Sequence, residues 1–165
     1  MRILDIFFKK SNKVCKDKNS KYYNYDIKTM EYAQYQEKYG ELWNLLGEYT
    51  QKINHYFSDY MHTNKKGDFN NLFSYCLKYI DLLPQLEEAK KEDTRITGTV
   101  YKTPYYCVAY DKLASAYEKA NCYNSAINVC EEAMKSGYTD GTKGGFEARL
   151  TRIKNKQNEI NNSIK

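Results

Sequence analysis

The sequence contains few residues that interrupt a helix. Only two prolines, Pro84 and Pro104, and eight glycines occur in 165 residues, and runs of β-branched residues are scarce. Proline and glycine have the lowest helix propensities, whereas β-branched residues favour strands. The composition therefore argues against an all-β protein and predicts an all-α fold.

A long apolar run is also missing. The N-terminal apolar stretch, from Ile3 to Phe8, is broken by Asp5 and is shorter than the apolar region of a secretory signal. No segment approaches the run of about 18 apolar residues that predicts a membrane-spanning helix. We therefore expect a cytoplasmic protein.

Cysteine and histidine occur without the spacing of a metal site. His55 and His62 lie seven residues apart with no pattern that completes a site, and the five cysteines fit no CxxC pattern. No Ser/His/Asp grouping, carboxylate pair or nucleotide motif predicts catalysis. We therefore expect no metal, no cofactor and no enzymatic activity, and reduced thiols at Cys15, Cys76, Cys107, Cys122 and Cys130.

Tyrosine supplies much of the apolar content, with 18 Tyr against 6 Phe and one Trp. A tyrosine ring can be buried while its hydroxyl reaches water or a partner, which suits seams between helices and equally a binding groove. Such seams can be satisfied within one chain or across a dimer, so the sequence leaves the oligomeric state open.

Positive charge is concentrated at the two ends. Residues 1–21 carry seven Lys/Arg against two Asp/Glu and residues 143–165 carry six against two, whereas residues 22–142 carry 13 against 17. The length suits one domain with its own core. We therefore predict a basic N-terminal arm over residues 1–25 and a single all-helical, repeat-like domain over residues 26–165.

Apolar spacing in the first half predicts antiparallel helices. A stripe that begins at Leu42 predicts a long helix near residues 40–63, and a second helix follows with Asp68 as its N-cap and Pro84 at its end. Residues 26–38 also favour a helix, capped by Asp26. The sequence leaves open whether residues 87–103 are helix or loop.

Three helices are predicted in the second half. The first has Thr103 as N-cap and Pro104 at its first position and runs to about Lys119. The second runs from Ser125 to Lys135 and is ended by Gly137. A C-terminal capping helix is marked by Phe146, Leu150, Ile153, Ile160 and Ile164.

Residues 107–140 resemble a tetratricopeptide repeat, a helix-turn-helix unit of about 34 residues. The similar positions are Tyr110, Leu113, Ala114 and Tyr117 in the first helix and Ala126, Cys130 and Ala133 in the second. A degenerate half-repeat covers residues 67–84. About 20 residues, 87–106, separate the two, so we do not expect a regular superhelix.

The resemblance implies a non-enzymatic interaction or scaffolding module that holds a peptide or partner protein in a groove lined by first helices. Family members that grip a C-terminal carboxylate use Lys and Asn there, whereas this chain has Asp111 and Ser115. A neutral or basic peptide therefore suits the acidic positions better. The implied partner-binding residues are Val108, Asp111, Lys112, Ser115 and Glu118.

The alternative is a surface that binds anions. The glycine-rich stretch between Gly137 and Gly145 lacks the P-loop spacing and favours a turn. Free amides at the following helix could still hold a carboxylate or phosphate, and a basic stripe continues along that helix. The candidate residues, which could contact nucleic acid, are Lys143, Arg149, Arg152 and Lys156.

The basic N-terminal arm offers a second kind of anionic partner. Ile3, Ile6, Phe7 and Phe8 could form an apolar wedge on a peripheral membrane, or they could pack as a strap against the body of the protein. The sequence does not choose between these roles.

Overall fold

The computed structural model describes residues 23–163, and these are almost entirely helical. Most of the predicted arm over residues 1–25, with its apolar wedge, and Ile164 lie outside this range. The all-α class is confirmed. In chain order the elements are α1 (Tyr23–Thr63), α2 (Lys66–Asp81), α3 (Leu83–Thr97), β1 (Tyr105–Tyr106), α4 (Val108–Lys119), α5 (Tyr123–Lys135), β2 (Tyr138–Thr139) and α6 (Gly145–Ser163).

The described chain divides into two compact units. The first contains the described residues up to Glu41 together with Glu88–Val100. Within it Glu92 accepts hydrogen bonds from Lys38 Nζ at 3.3 Å and from the Tyr39 hydroxyl at 3.4 Å. The single domain expected over residues 26–165 stays a prediction.

The second unit contains Leu42–Glu87 and the described residues from Tyr101 onward. Here α1 and α2 form the expected antiparallel hairpin. The rings of Tyr60 and Phe69 lie 5.3 Å apart near the turn, and those of Tyr49 and Tyr75 lie 5.8 Å apart further along. Helix α2 also packs on α4, α4 on α5, and α5 on α6.

Small residues let α4 and α5 pack closely. The side chains of Ala114, Ala126 and Ala133, at the repeat-like positions, are fully buried. Because an alanine adds only a methyl group, the two backbones can approach each other. This hairpin is flanked by a short parallel ladder in which Tyr105 pairs with Tyr138 and Tyr106 with Thr139.

Several helix boundaries differ from the predicted ones in the first half. The helices expected over residues 26–38 and 40–63 are one continuous helix, so Asp26 lies inside α1. Asp68 is not an N-cap: Lys65 holds that position, and Asp68 lies in the first turn of α2. Its carboxylate accepts a hydrogen bond from the Thr63 hydroxyl at 2.7 Å. The negative charge also interacts favourably with the positive N-terminal end of the helix dipole.

Pro84 begins a helix rather than ending one. It is the second residue of α3. N–H groups in the first turn of a helix have no acceptor within the helix, so the N–H that proline lacks is not needed there. Helix α3 continues to Thr97, so the first part of the undecided segment 87–103 is helix. Gly98 follows with φ +77°, a conformation that favours glycine.

The predicted start of α4 is also wrong. The helix begins at Val108 with Cys107 as N-cap, and the Thr103–Pro104 peptide bond is cis. Residues 105 and 106 pair instead with β2, and Cys107 N donates to the Thr139 carbonyl at 3.1 Å. Tyr105 and Tyr106, which the proline pattern assigned to the first turn of a helix, therefore form a strand instead.

Candidate functional site

Arg149 connects α6 to α4. Its side chain is only 11% exposed. Nη1 donates to Asp111 Oδ1 at 3.0 Å and to the Asp111 carbonyl at 3.1 Å, and Nη2 donates to Ser115 Oγ at 3.2 Å. Because bonds from a guanidinium to a carboxylate are charge-assisted, this contact fixes α6 on α4 more firmly than apolar packing alone.

Two further carboxylates face the same guanidinium. Arg149 Nε lies 3.4 Å from Glu118 Oε1 and 3.4 Å from Asp140 Oδ2. These contacts are ion pairs without hydrogen-bond geometry, and Nε is a buried donor that lacks a hydrogen-bond partner among the described residues. Arg149 is thus the centre of a buried charge cluster.

The cluster is balanced in charge. Asp111 Oδ2 also lies 3.1 Å from Lys112 Nζ, and Glu118 Oε2 lies 2.9 Å from Arg152 Nη2. Three carboxylates, of Asp111, Glu118 and Asp140, are therefore matched by the three cations Lys112, Arg149 and Arg152. Pairing offsets part of the free-energy penalty that these charges incur on leaving water.

The glycine-rich stretch supplies one of these carboxylates. Asp140 Oδ1 accepts hydrogen bonds from Thr142 N at 2.9 Å and from the Thr142 hydroxyl at 2.7 Å, which fixes a tight turn. Gly141, with φ +78°, continues that turn. The loop therefore supplies Asp140 as one of the chain's own carboxylates at Arg149, and Lys143 stays exposed on the loop.

Tyr106 closes the cluster on the side of β1. Its hydroxyl donates to Asp111 Oδ2 at 3.1 Å. Loss of solvent around the hydroxyl and the nearby Asp111 carboxylate raise the pKa of Tyr106, because both disfavour a phenolate. Tyr106 therefore remains a neutral donor to Asp111 near neutral pH.

An open cleft of ≈ 280 Å³ lies beside this cluster. Helices α1, α4 and α6 provide its walls. Arg152 is 63% exposed there, and its Nη2 donates to both oxygens of Glu118, at 3.1 and 2.9 Å. The lining residues are Met61, Ser115, Glu118, Lys119, Arg149, Arg152 and Lys156.

The two lysines of the cleft are held by neighbouring groups. Lys119 Nζ donates to the Met61 carbonyl and lies 5.6 Å from the centre of the Tyr60 ring. Lys156 Nζ lies 5.5 Å from the centre of the Tyr123 ring. Since Asp111, Glu118 and Asp140 balance Lys112, Arg149 and Arg152, the net positive charge of the described lining comes from Lys119 and Lys156.

The cleft joins residues that the sequence assigned to two different sites. Ser115 and Glu118 were expected in a peptide groove, whereas Arg149, Arg152 and Lys156 were expected on an anion-binding surface. All five line the same opening. They converge because α6 packs on α5 and its arginines reach Asp111, Ser115 and Glu118 of α4, which the spacing within either helix alone does not reveal.

Other predicted site residues do not reach the cleft. Val108 is 5% exposed and Asp111 is 7% exposed, so neither is available to a partner. Lys112 Nζ lies 5.0 Å from the centre of the Phe57 ring, outside the cleft lining. Sequence reasoning missed Lys119 and Met61. Lys119, one turn after Ser115, could have been found by extending the groove face, whereas no pattern marks Met61.

The described part of the chain offers no alternative site of an obvious kind. Residues 23–163 contain no group of three or more His, Cys, Asp or Glu side chains arranged to hold a metal ion. Within the same residues, every helix is too short or too polar to cross a bilayer. The cleft beside the buried charge cluster is therefore the strongest candidate for a binding site among the described residues.

Comparison of the chain with models of protein families, with curated proteins and with solved structures finds no match. The tetratricopeptide resemblance is thus not confirmed by a family. A functional assignment must follow from the geometry and charge of the cleft.

Proposed function

We propose that this chain is a non-enzymatic interaction or scaffolding module, and that a peptide or a segment of a partner protein binds in the cleft between α1, α4 and α6. The observation that carries the proposal is the convergence of Ser115, Glu118, Arg149, Arg152 and Lys156 on one opening of ≈ 280 Å³. Such an opening suits a few side chains of a docked segment.

The buried charge cluster supports this role because it fixes the wall of the cleft that Arg149 forms. Arg149 is held by Asp111 and Ser115 on α4, and Asp140 and Glu118 surround its Nε. A wall that is already in place does not have to be ordered when a partner binds, which lowers the free-energy cost of association.

We also propose that α4 and α5 form a tetratricopeptide-repeat-like unit with α6 as its cap. Support comes from the positions that carry the resemblance: Tyr110, Leu113 and Cys130 are buried, as are the alanines between the helices. Units of this kind bind partners through helical surfaces. A cytoplasmic location remains a prediction.

Nucleic acid is a weaker candidate for the basic residues. The stripe expected on α6 is divided, since Arg149 is 11% exposed and committed to carboxylates, whereas Arg152 is 63% exposed. A surface that follows a phosphate backbone needs several accessible cations in a row. The membrane alternative concerns the N-terminal arm, which lies outside the described residues.

The proposal can be tested by selecting displayed random peptides on the purified chain. A Met61→Trp variant should block the cleft, because Met61 is 40% exposed and lines it. Met134→Trp on α5 is the matched control, since Met134 is 39% exposed and is not among the lining residues.

We expect selected peptides to bind the wild type and Met134→Trp alike and to bind Met61→Trp at least about ten-fold more weakly, a loss of roughly 1.4 kcal/mol. Peptides that bind all three proteins equally would show that the cleft is not the binding site. Failure to enrich any peptide would count against the interaction module itself.

A further inference from the structure

Glu118 is the one carboxylate among the described residues that line the cleft, and both of its oxygens accept hydrogen bonds from Arg152. We propose that the cleft recognises an acidic segment of its partner, and that Glu118 takes the place of a partner carboxylate on Arg152 in the free chain. This inference rests on the proposed function and adds the chemistry of the partner.

The residues that line the cleft carry more positive than negative charge. Among the described residues that line the cleft, Arg149 and Arg152 are paired with carboxylates, whereas Lys119 and Lys156 contribute the net positive charge. Like charges that line one concave surface repel each other, and an incoming anion relieves that repulsion. The carboxylates that made a neutral or basic peptide attractive, Asp111 and Glu118, are already paired with Arg149 and Arg152.

The two arginines have different freedom to bind a partner. Arg149 is 11% exposed and uses Nη1 and Nη2 on α4, so it serves as a fixed wall. Arg152 is 63% exposed and contacts Glu118 through Nη2. Since a guanidinium carries five N–H donors, Arg152 can turn to a second carboxylate.

The shape of the cleft favours acidic side chains over a nucleic-acid strand. Phosphate-tracking grooves are long, and they combine many cations with rings on which bases stack. This opening of ≈ 280 Å³ contains a carboxylate and the apolar side chain of Met61. The methylene groups of a glutamate can contact Met61 while its carboxylate meets Arg152, Lys119 or Lys156.

The test uses a fluorescein-labelled twelve-residue peptide of alternating Glu and Ala, with a Gln/Ala twin and a Lys/Ala twin. Fluorescence anisotropy with the full chain should show about ten-fold tighter binding of the Glu/Ala peptide than of either twin. Affinity should fall as salt rises, because the attraction is screened.

Three variants identify the groups involved. Arg152→Gln should weaken binding of the Glu/Ala peptide about three- to five-fold, and so should Lys156→Gln. Glu118→Gln should strengthen it about three-fold, because Arg152 then loses its internal competitor. Lys154→Gln is the matched control: Lys154 lies on α6 with the same charge, but it pairs with Glu131 outside the cleft lining.

Several results would overturn the inference: no binding of the Glu/Ala peptide, equal binding of its Gln/Ala twin, weaker binding by Glu118→Gln, or equal losses in Arg152→Gln and Lys154→Gln. A twelve-nucleotide oligothymidine that binds more tightly than the peptide, and loses affinity in Arg152→Gln, would assign the cleft to nucleic acid instead.

The result also separates this inference from the proposed function. Selected peptides that depend on the cleft, by the Met61→Trp test, but carry no excess of Asp and Glu would leave the interaction module intact and refute only the acidic partner. Selected peptides that bind Met61→Trp as tightly as the wild type would refute the proposal that a partner binds in this cleft.

Discussion

Replacing Arg149 with methionine would remove the central cation of the buried charge cluster. The side chains of Arg149 and Asp111 are each 11% exposed and that of Asp140 is 1% exposed, so water cannot fully replace the lost partner. Methionine keeps an unbranched stem of similar width. The substitution therefore removes the charge and hydrogen bonds while most of the packing stays.

The expected loss of stability is large. Removing one member of a buried ion pair costs about 3–5 kcal/mol, because the other charge is left uncompensated. Asp111 retains Lys112 and Tyr106, and Asp140 retains Thr142. We therefore expect the lower end, about 3 kcal/mol. For a urea dependence of about 2 kcal/mol per molar, the unfolding midpoint falls by about 1.5 M.

Urea unfolding followed by far-UV circular dichroism measures this loss, with Arg152→Met as the control. Arg152 makes an exposed pair, so its replacement should cost less than about 1 kcal/mol. Equal midpoint shifts in the two variants would refute the buried cluster as a stabilising element.

Three further predictions concern the rest of the second unit. Gly141→Ala should destabilise the fold by about 1 kcal/mol more than Gly137→Ala in urea unfolding. Both residues have φ +78°, which strains an alanine, but only at Gly141 would the added Cβ also lie 3.1 Å from the Tyr106 ring. Equal losses would contradict this. Iodoacetamide should modify exposed Cys122 in the native protein well before Cys130, since burial raises the pKa of Cys130 to about 11, and peptide mass spectrometry would expose the reverse order. Burial raises the pKa of Tyr79 to about 12. The stability that the neutral hydroxyl contributes is therefore complete below the ordinary pKa of 10.0 and is lost as the pH rises from 10.0 to about 12. Thermal unfolding of Tyr79→Phe should show a shallower loss of stability over this alkaline range, and an unchanged loss would refute the raised pKa.

Much of the fold could be predicted from the sequence because local spacing controls helices. The stripe from Leu42 onward and the ends of α4 at Lys119 and of α5 at Lys135 follow from apolar periodicity and helix-stop signals. The start of α4 could not be predicted in this way. The Thr103 and Pro104 pattern favours a helix start locally, but pairing of β1 with β2, more than 30 residues away, decides the outcome.

The candidate site was predictable only in part. Helical spacing grouped Arg149, Arg152 and Lys156 as a stripe on α6, and resemblance placed Ser115 and Glu118 in a groove on α4; these five residues line the cleft. The partners of Arg149 could not be found, since Asp111 lies 38 positions earlier in the chain. A contact of that kind depends on how two helices pack, which no local pattern specifies.

An NMR titration of the arginine side-chain Nε–Hε signals with the Glu/Ala peptide tests directly whether an acidic segment binds at Arg152 in the cleft. The chain has four arginines, Arg2, Arg95, Arg149 and Arg152, so each signal can be assigned by single substitutions. If the partner segment occupies the cleft, the Arg152 signal shifts most, Arg149 shifts less and Arg95 stays unchanged. Binding that shifts Arg95 or Arg2 and leaves Arg152 unchanged would contradict the account.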